Sequence, residues 1–320
     1  MSALLDRLGV ERPVVQAGMG GGLSGAALAA AVSEAGGLGT IGLLPPAELR
    51  SEIRAARERT ERPVAANLLL PFARSEHFAA AADADAVVTF WGRPRRRTDR
   101  PWIHQCGSVE EALEAHAAGA DAVIVQGVEA GGHVRGTTPA LELLERGRAR
   151  LPAGYPLLLA GGIAEPGDVR DALAAGAVAA VLGTRFLLTP ESGAHPAYRR
   201  RLVEARETVL TELFGMGWPA PHRVVANAAT ERWLGADPRG PAALRAFNRL
   251  SAPLLARLPI GVQRRLGARQ DPRLPLLGPI GPTAGQPESL VHAAPLYAGV
   301  TVARIRDVRP AAELVRELAP

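Results

Sequence analysis

The segment that decides the fold is residues 122–136, with the sequence AVIVQGVEAGGHVRG. It begins with apolar, mostly β-branched residues, a pattern typical of a buried strand. Thr137, Thr138 and Pro139 follow as an N-cap and first-turn signature, so the glycines and His133 lie on a strand-to-helix loop. Glycine lets a backbone approach a flat or phosphorylated ligand closely, and an imidazole titrates near neutrality. The segment therefore predicts a cofactor site with a base beside it.

The same succession of strand, short turn and helix recurs between residues 10 and 190. Similar sequences end a helix and enter a strand at three places: DADAVV at 83–88, GADAVI at 119–124 and GAVAAV at 176–181. The predicted strands are 13–17, 37–42, 63–68, 86–91, 102–106, 122–125, 156–160 and 179–182. Such a series predicts an α/β fold, a parallel (β/α)8 TIM barrel with its sites in the loops that follow the strands.

The pattern changes after Thr189. Helical periodicity continues from about 194 to 269 with interruptions at prolines, and residues 271–287 are rich in Pro and Gly, which is typical of an irregular connection. Residues 289–318 are predicted to be closing helices. We therefore predict two parts, a barrel over residues 1–192 and a C-terminal helical appendage over 193–320 that packs on the barrel as a lid.

Composition limits the class of protein. The chain has 320 residues, of which 47% are hydrophobic, and this argues against disorder. Its net charge of +5 comes from arginine alone, because the sequence contains no lysine. The densest arginine cluster, at 93–100, lacks interleaved aromatic residues, so we expect no nucleic-acid partner. The cluster is predicted to be a solvated loop; the alternative is a contact with an acidic substrate or a nucleotide phosphate.

Cysteine content and hydropathy bear on the compartment. The single Cys106 excludes an internal disulfide framework and any cysteine-rich metal site, which fits a reducing environment. No apolar run is long enough to cross a bilayer, and the N-terminus lacks the pattern of a signal peptide. We expect a cytoplasmic protein without a membrane partner.

Glycine loops after the last two barrel strands are candidates for binding phosphate. Gly161 and Gly162 follow one strand, and Gly183 with Thr184 follows the next, where free backbone N–H groups of barrels commonly converge. The alternative is that both loops are only tight turns. The glycine spacing at residues 20–25 also matches that of a dinucleotide-binding loop. Such a site needs an acidic residue at the end of the second strand to hold the ribose, and its absence argues against a dinucleotide site.

Three polar side chains stand on the predicted site face. Asn67 and Gln126 end strands, where an amide can pair with the edge of a flavin ring or be a satisfied core amide. His133, flanked by glycines, is the candidate general base. His104 and His116 have no such context. No histidines and carboxylates have the spacing of metal ligands, so we expect no metal.

The order of these motifs resembles that of the nitronate monooxygenase family, formerly called 2-nitropropane dioxygenases, within the FMN TIM-barrel superfamily. The resemblance covers residues 10–190 and, less distinctly, the tail through 297–299. The flavin-dependent enoyl-acyl-carrier-protein reductases share the same loops and a similar Gly-Gly-His. The motifs that carry the resemblance to the nitronate monooxygenase family are QAGM at 16–19, Asn67, QGVEAGGH at 126–133, AGGI at 160–163 and LGTRF at 182–186.

The resemblance implies an FMN cofactor and assigns its contacts. One departure is Gly18, where the family usually has proline before the methionine. His133 is implied to be the catalytic base. The implied FMN contacts are Ala17, Gly18, Met19, Asn67, Gln126, Gly131, Gly161, Gly162, Val181, Leu182, Gly183 and Thr184.

The resemblance also implies a reaction. We expect oxidation of nitronates or nitroalkanes with O2 to a carbonyl compound and nitrite, with a neutral His133 removing the acidic C–H proton. The alternative on the same scaffold is an NAD(P)H-dependent flavin reductase of enoyl thioesters or quinones. A third possibility is a catalytically silent flavin-binding barrel.

Overall fold

A computed structural model describes residues 3–255, 267 and 269–319. All eight predicted barrel strands are confirmed, with bounds that shift by a few residues at most. The strands of the barrel are β1 Val14–Gln16, β2 Gly39–Ile41, β3 Val64–Leu69, β4 Ala86–Phe90, β5 Trp102–Cys106, β6 Ala122–Gln126, β8 Leu157–Ala160 and β9 Ala179–Leu182.

These strands form one parallel sheet that closes on itself, as the TIM-barrel prediction requires. The order around the sheet is β1, β9, β8, β6, β5, β4, β3, β2, and every pairing is parallel. A bridge between Val15 and Leu38, next to β2, joins the two ends. Closure places all the loops that follow the strands at one mouth of the barrel.

Side chains alternate between the barrel interior and the surrounding helices. On β6, Ile124 packs in the interior cluster, whereas Val123 and Val125 pack outward against helix residues such as Leu144. Because successive side chains on a strand point to opposite faces, Gln126 has the same inward phase as Ile124. The strand period therefore directs the terminal amide into the barrel.

Helices surround the strands and one joins from the far end of the chain. No helix lies between β4 and β5, where the sequence predicts a solvated arginine loop. The C-terminal helix Ala311–Leu318 packs against the helices Ala26–Glu34 and Pro166–Ala174, so this helix belongs to the barrel's outer layer. The described helices are α1 Ala3–Leu8, α2 Ala26–Glu34, α3 Pro46–Arg57, α4 Ser75–Ala81, α5 Val109–Ala117, α6 Ala140–Arg150, α7 Pro166–Ala174, α8 Thr184–Leu187, α9 Pro196–Glu204, α10 Ala228–Trp233, α11 Ala242–Leu255 and α12 Ala311–Leu318.

The segment after residue 192 contains a sheet as well as helices, and the purely helical pattern predicted for it needs correction. Three short strands, β10 Val209–Thr211, β11 His222–Val225 and β12 Leu296–Tyr297, join β7 Gly132–His133 in an antiparallel sheet. Strands this short are stabilised by partners distant in sequence, so local periodicity does not reveal them. The predicted helical pattern at 256–266 and 268 lies outside the described residues.

The closing helices predicted over 289–318 are partly 3-10. Residues Glu288–His292 and Val300–Arg304 form short 3-10 helices, and only α12 is α-helical. Among the helices in the described part of the chain, none is long and apolar enough to cross a membrane.

Candidate active site

A large cavity of about 1070 Å³ opens where the barrel strands end. Leu182 is the one predicted contact that does not line it, because its side chain is buried in the barrel wall; its carbonyl accepts a hydrogen bond from the Ala17 N–H at 2.9 Å. The structure brings the other predicted residues together around this cavity: Ala17, Gly18, Met19, Asn67, Gln126, Gly131, His133, Gly161, Gly162, Val181, Gly183 and Thr184.

His133 is held between the barrel and the C-terminal extension. It lies on β7, which is antiparallel to β11, and its direct cross-strand partner is His222. The indole of Trp218 stacks on its imidazole, with ring centroids 3.6 Å apart and planes inclined by 22°. The rings of His222 and Tyr297 each lie 5.4 Å from it. Aromatic rings therefore pack on the proposed base, which is only partly buried because it also borders the cavity.

The chemistry of His133 follows from this enclosure. Its Nε2 is buried and has no hydrogen-bond partner among the described residues. Desolvation by burial, with a smaller contribution from His222, holds the pKa of His133 well below its ordinary value of 6.5. The imidazole is therefore neutral at pH 7, and its buried nitrogen is engaged by no group in the part of the chain that the structure describes. This is the state that a general base requires.

The two strand-end amides hold loops as well as line the cavity. Gln126 Nε2 donates to the His133 carbonyl at 3.1 Å, and its Oε1 accepts from the Arg135 N–H at 3.3 Å. Asn67 Nδ2 donates to the Gly18 carbonyl at 3.2 Å. An amide carries two N–H donors and two acceptor lone pairs, so each side chain keeps capacity for a further partner. Gln126 thus fixes the backbone on both sides of Val134.

Glycines shape the cavity wall where a phosphorylated cofactor would lie. Gly161 and Gly162 have φ values of +107° and +75°, a conformation that other residues rarely adopt. Gly183, in contrast, has a φ of −104°, and a Cβ added to it would meet nothing nearer than the Ala17 Cβ at 3.8 Å. The Thr184 hydroxyl accepts a hydrogen bond from the Gly299 N–H at 2.9 Å. The extension is therefore attached directly to this loop.

Gly18 has a steric role that the resemblance did not indicate. A Cβ built on it would lie 2.3 Å from the Asn67 Cβ and 2.9 Å from its Cγ. Contacts this short require the neighbour to move, so the chain can bring residue 18 against Asn67 only as glycine.

The arginine cluster lies outside the cavity. Arg96 pairs with Asp121 at 2.6 Å and donates to the Gly119 carbonyl, while Arg100 donates to the Ala82 carbonyl at 2.9 Å. Arg97 lies over the ring of Phe78, 4.2 Å from its centroid. None of the arginines between 93 and 100 lines the cavity. Their contacts attach the loop between β4 and β5 to the outside of the barrel.

The sequence analysis did not identify several cavity residues. Gln105 lines the cavity from β5, and Phe72 lines it from the loop after β3. Trp218 comes from the loop between β10 and β11, and its segment offered only prolines and glycines as a signal. Glu129 also lines the cavity, but its carboxylate accepts from the Ala140 N–H at 3.0 Å, at the start of α6. In the described ranges, no group of three or more His, Cys, Asp or Glu side chains is arranged to hold a metal.

Buried neutral histidines predict an acid-sensitive fold. Burial lowers the pKa of both His104 and His222 to about 4 from 6.5, and lowers that of His133 as well. The unfolded chain therefore binds more protons than the folded chain between these values, so stability is lost as pH falls below about 6.5. Each shift of this size corresponds to up to about 3 kcal/mol at the acid limit.

We expect the free energy of unfolding to fall by several kcal/mol between pH 7 and pH 5, as measured by urea titration. The control is His292→Gln, because His292 is exposed and its loss should leave the pH dependence unchanged. Equal stability at the two pH values would contradict the neutral, buried state of these side chains.

Comparison with known proteins gives a consistent result. The model of the nitronate monooxygenase family matches residues 1–92 and 94–320. A nitronate monooxygenase of Paraburkholderia phytofirmans is 33% identical over 302 residues, which covers 75% of this chain and 80% of that protein. A (3aS,4S,5R,7aS)-5-hydroxy-7a-methyl-1-oxo-octahydro-1H-indene-4-carboxyl-CoA dehydrogenase of Mycobacterium tuberculosis is 33% identical over 276 residues, covering 78% of this chain and 74% of that one.

Solved structures show the same architecture over nearly the full length. FabK from Thermotoga maritima has a TM-score of 0.77 and 27% identity, covering 99% of this chain and 94% of its own. The nitroalkane oxidase from Streptomyces ansochromogenes has a TM-score of 0.76 and 30% identity, covering 99% and 96%. Both likenesses include the barrel and the extension.

Proposed function

This chain belongs to the nitronate monooxygenase family, and from that premise we propose that it oxidises nitronates or nitroalkanes with O2 to a carbonyl compound and nitrite. Membership in this family of flavin oxidoreductases makes the chain an oxidoreductase that acts on small molecules, and the silent flavin-binding barrel is no longer a candidate. The observation that supports the proposal best is the unpartnered Nε2 of a neutral His133 beside the glycine-lined cavity.

The cavity fits FMN as the cofactor. Its volume is ample for a flavin nucleotide, its wall lacks side chains at the glycines after β8 and β9, and two amides with spare hydrogen-bonding capacity face it. Leu182 would support this surface from behind. The residues that would hold FMN are Ala17, Gly18, Met19, Asn67, Gln126, Gly131, Gly161, Gly162, Val181, Gly183 and Thr184. When bound, the flavin would supply the redox chemistry between substrate and O2.

The protein's own residues would handle the proton. A nitroalkane carries an acidic C–H, and His133 Nε2, neutral and desolvated, accepts that proton. The resulting imidazolium carries a positive charge next to the nitronate anion and stabilises it in a low-dielectric site. Gln126 keeps the loop that bears His133 in register through its bond to the His133 carbonyl. Trp218 and Tyr297 exclude water from the imidazole.

A second candidate is an NAD(P)H-dependent reductase of enoyl thioesters or quinones. The cavity, at about 1070 Å³, reaches the upper limit of about 1,000 Å³ for single-ligand sites, so it has space for a bulky substrate beside a cofactor. The likeness to FabK and to the indene-carboxyl-CoA dehydrogenase of Mycobacterium tuberculosis favours the same hypothesis. The arginine loop gives it no support, because those side chains do not reach the cavity.

Anaerobic reduction of the purified protein distinguishes the two functions. We expect a yellow protein whose flavin absorbance is bleached by propionate 3-nitronate or 2-nitropropane alone, because the substrate itself provides the electrons. Bleaching only after addition of NADPH would instead establish the reductase. A colourless protein that does not bind added FMN would contradict both functions.

A further inference from the structure

The loop that joins β10 to β11 is attached at both of its ends to one imidazole. His222 Nε2 accepts a hydrogen bond from the Phe214 N–H at 3.2 Å, and His222 Nδ1 donates to the Ala220 carbonyl at 2.8 Å. The intervening residues 215–219 therefore form a closed loop around this ring. His222 is completely buried, with 0% of its surface exposed.

These two bonds fix the tautomer and the charge of His222. An amide N–H needs an unprotonated nitrogen as its acceptor, and a carbonyl needs an N–H as its donor. The ring is therefore neutral, with its proton on Nδ1, and both nitrogens are occupied within the loop. Neither nitrogen is left for a substrate, so His222 acts on structure and not on the reacting atoms.

Trp218 sits at the apex of this closed loop and covers His133. The two rings are stacked at 3.6 Å, which leaves no space for another molecule between them. Edge-on contacts with Phe72 at 5.3 Å and Trp91 at 5.4 Å surround the indole further. Edge-to-face packing is a favourable arrangement of aromatic rings. The indole is thus held firmly on the imidazole.

The backbone of the loop sets the direction of the indole. The Trp218 N–H donates to the Gly215 carbonyl at 3.0 Å, and the Ala220 N–H donates to the Trp218 carbonyl at 2.8 Å. Gly217, with a φ of +83°, supplies the reversal before the tryptophan. His222 is also the direct cross-strand partner of His133. The register of β7 and β11 therefore places His222, the loop that bears Trp218 and the proposed base next to one another.

We infer that His222 is a positioning residue that clamps the 214–220 loop, and that Trp218, held by this clamp, covers His133 and determines which substrates reach it. The cover limits access of water and of bulky molecules to the imidazole face. A substrate has to displace or accommodate the indole. Selection of substrates by size is then a property of the extension, separate from the FMN contacts proposed on the barrel loops.

Chemical labelling of His133 in the flavin-loaded protein tests the cover without relying on any activity. Diethyl pyrocarbonate acylates accessible neutral imidazoles, and its rate at His133 is measured by peptide mass spectrometry relative to the exposed His292. We expect Trp218→Ala to raise the relative rate at least tenfold, and the aromatic control Trp218→Phe to stay near wild type. Equal labelling rates of His133 in wild type and Trp218→Ala would overturn the inference that Trp218 covers His133.

A matched pair at position 222 tests the clamp. His222→Gln keeps a donor and an acceptor and is expected to protect His133, whereas His222→Met has a similar volume without the donor and is expected to expose it. In the double variant with Trp218→Ala, His222→Met should change the labelling rate less than twofold further, because both act through one indole. Additive effects of the two substitutions on the labelling rate would contradict the inference that His222 clamps the loop. Protection of His133 from labelling in His222→Met would contradict it as well. If His222→Met does not fold, loss of protection in His222→Gln becomes the deciding outcome against the clamp.

Substrate selection provides a second measurement, which rests on the proposed nitroalkane chemistry. Trp218→Ala should raise the ratio of kcat/KM for nitrocyclohexane to that for nitroethane by tenfold or more, since discrimination by pocket size is commonly 10–200-fold. Labelling changes without any nitroalkane turnover would refute the proposed function and leave the cover intact. Normal turnover with an unchanged ratio would refute the role in selection.

Discussion

Replacement of His133 by asparagine is expected to lower kcat/KM for 2-nitropropane by about 10²–10⁴-fold, the usual contribution of a general base. Asparagine fills much of the same space but does not accept the C–H proton at pH 7. Steady-state oxygen consumption measures the loss. Flavin content should remain at the wild-type level, because no predicted FMN contact is altered.

A preformed nitronate separates the base from its other roles. Propionate 3-nitronate has already lost its proton, so its oxidation by His133→Asn should fall much less than that of 2-nitropropane. Equal losses with both substrates would mean that His133 does not act as the base and instead stabilises charge. Full activity with both would remove His133 from the mechanism.

Introduction of an aspartate at Gly183 is expected to weaken FMN binding by about 10²–10³-fold. Residue 183 lines the cavity at the proposed phosphate loop, and its negative φ and the free space beside it accept a side chain without strain. A carboxylate about 4 Å from a phosphate repels it by about 4 kcal/mol per unit charge at an effective dielectric constant of 20. Titration of the flavin-free protein with FMN, followed by flavin fluorescence, measures the affinity.

Gly183→Asn is the matched control, since it has the same shape without the charge. We expect it to bind FMN far more tightly than Gly183→Asp, and both variants to unfold at temperatures near that of wild type. Similar affinity in the two variants would mean that no phosphate lies near residue 183. The comparison depends only on binding and is independent of the reaction catalysed.

The barrel could be predicted from the sequence because each of its strands has a recognisable local sequence pattern. Each is a short apolar run between turn residues, and the period of two along β3 and β6 directs Asn67 and Gln126 inward. The glycines after β8 and β9 follow from the same pattern. Cavity contacts made by backbone or by strand-end side chains were therefore accessible without a structure.

The aromatic enclosure of His133 could not be predicted, because it depends on pairing between distant segments. β11 lies far along the chain from β7, and its four residues carry no strand pattern strong enough to stand out. Trp218 lies in a proline-interrupted stretch, where only the tertiary fold places it on an imidazole. A sequence pattern reports burial and period, not which distant loop covers which side chain.

The antiparallel pairing of β7 with β11 means that two regions of the chain, the barrel and the extension, together build the proposed site. The glycine loops that would grip a cofactor belong to the barrel, whereas the orientation of His133 is shared with a sheet whose other strands all follow residue 192. Changes in β10, β11 or β12 can therefore alter the surroundings of His133 without replacing any glycine of the barrel loops. We therefore expect variation in this later segment to act on the proposed selection of substrates before it acts on the proposed cofactor contacts.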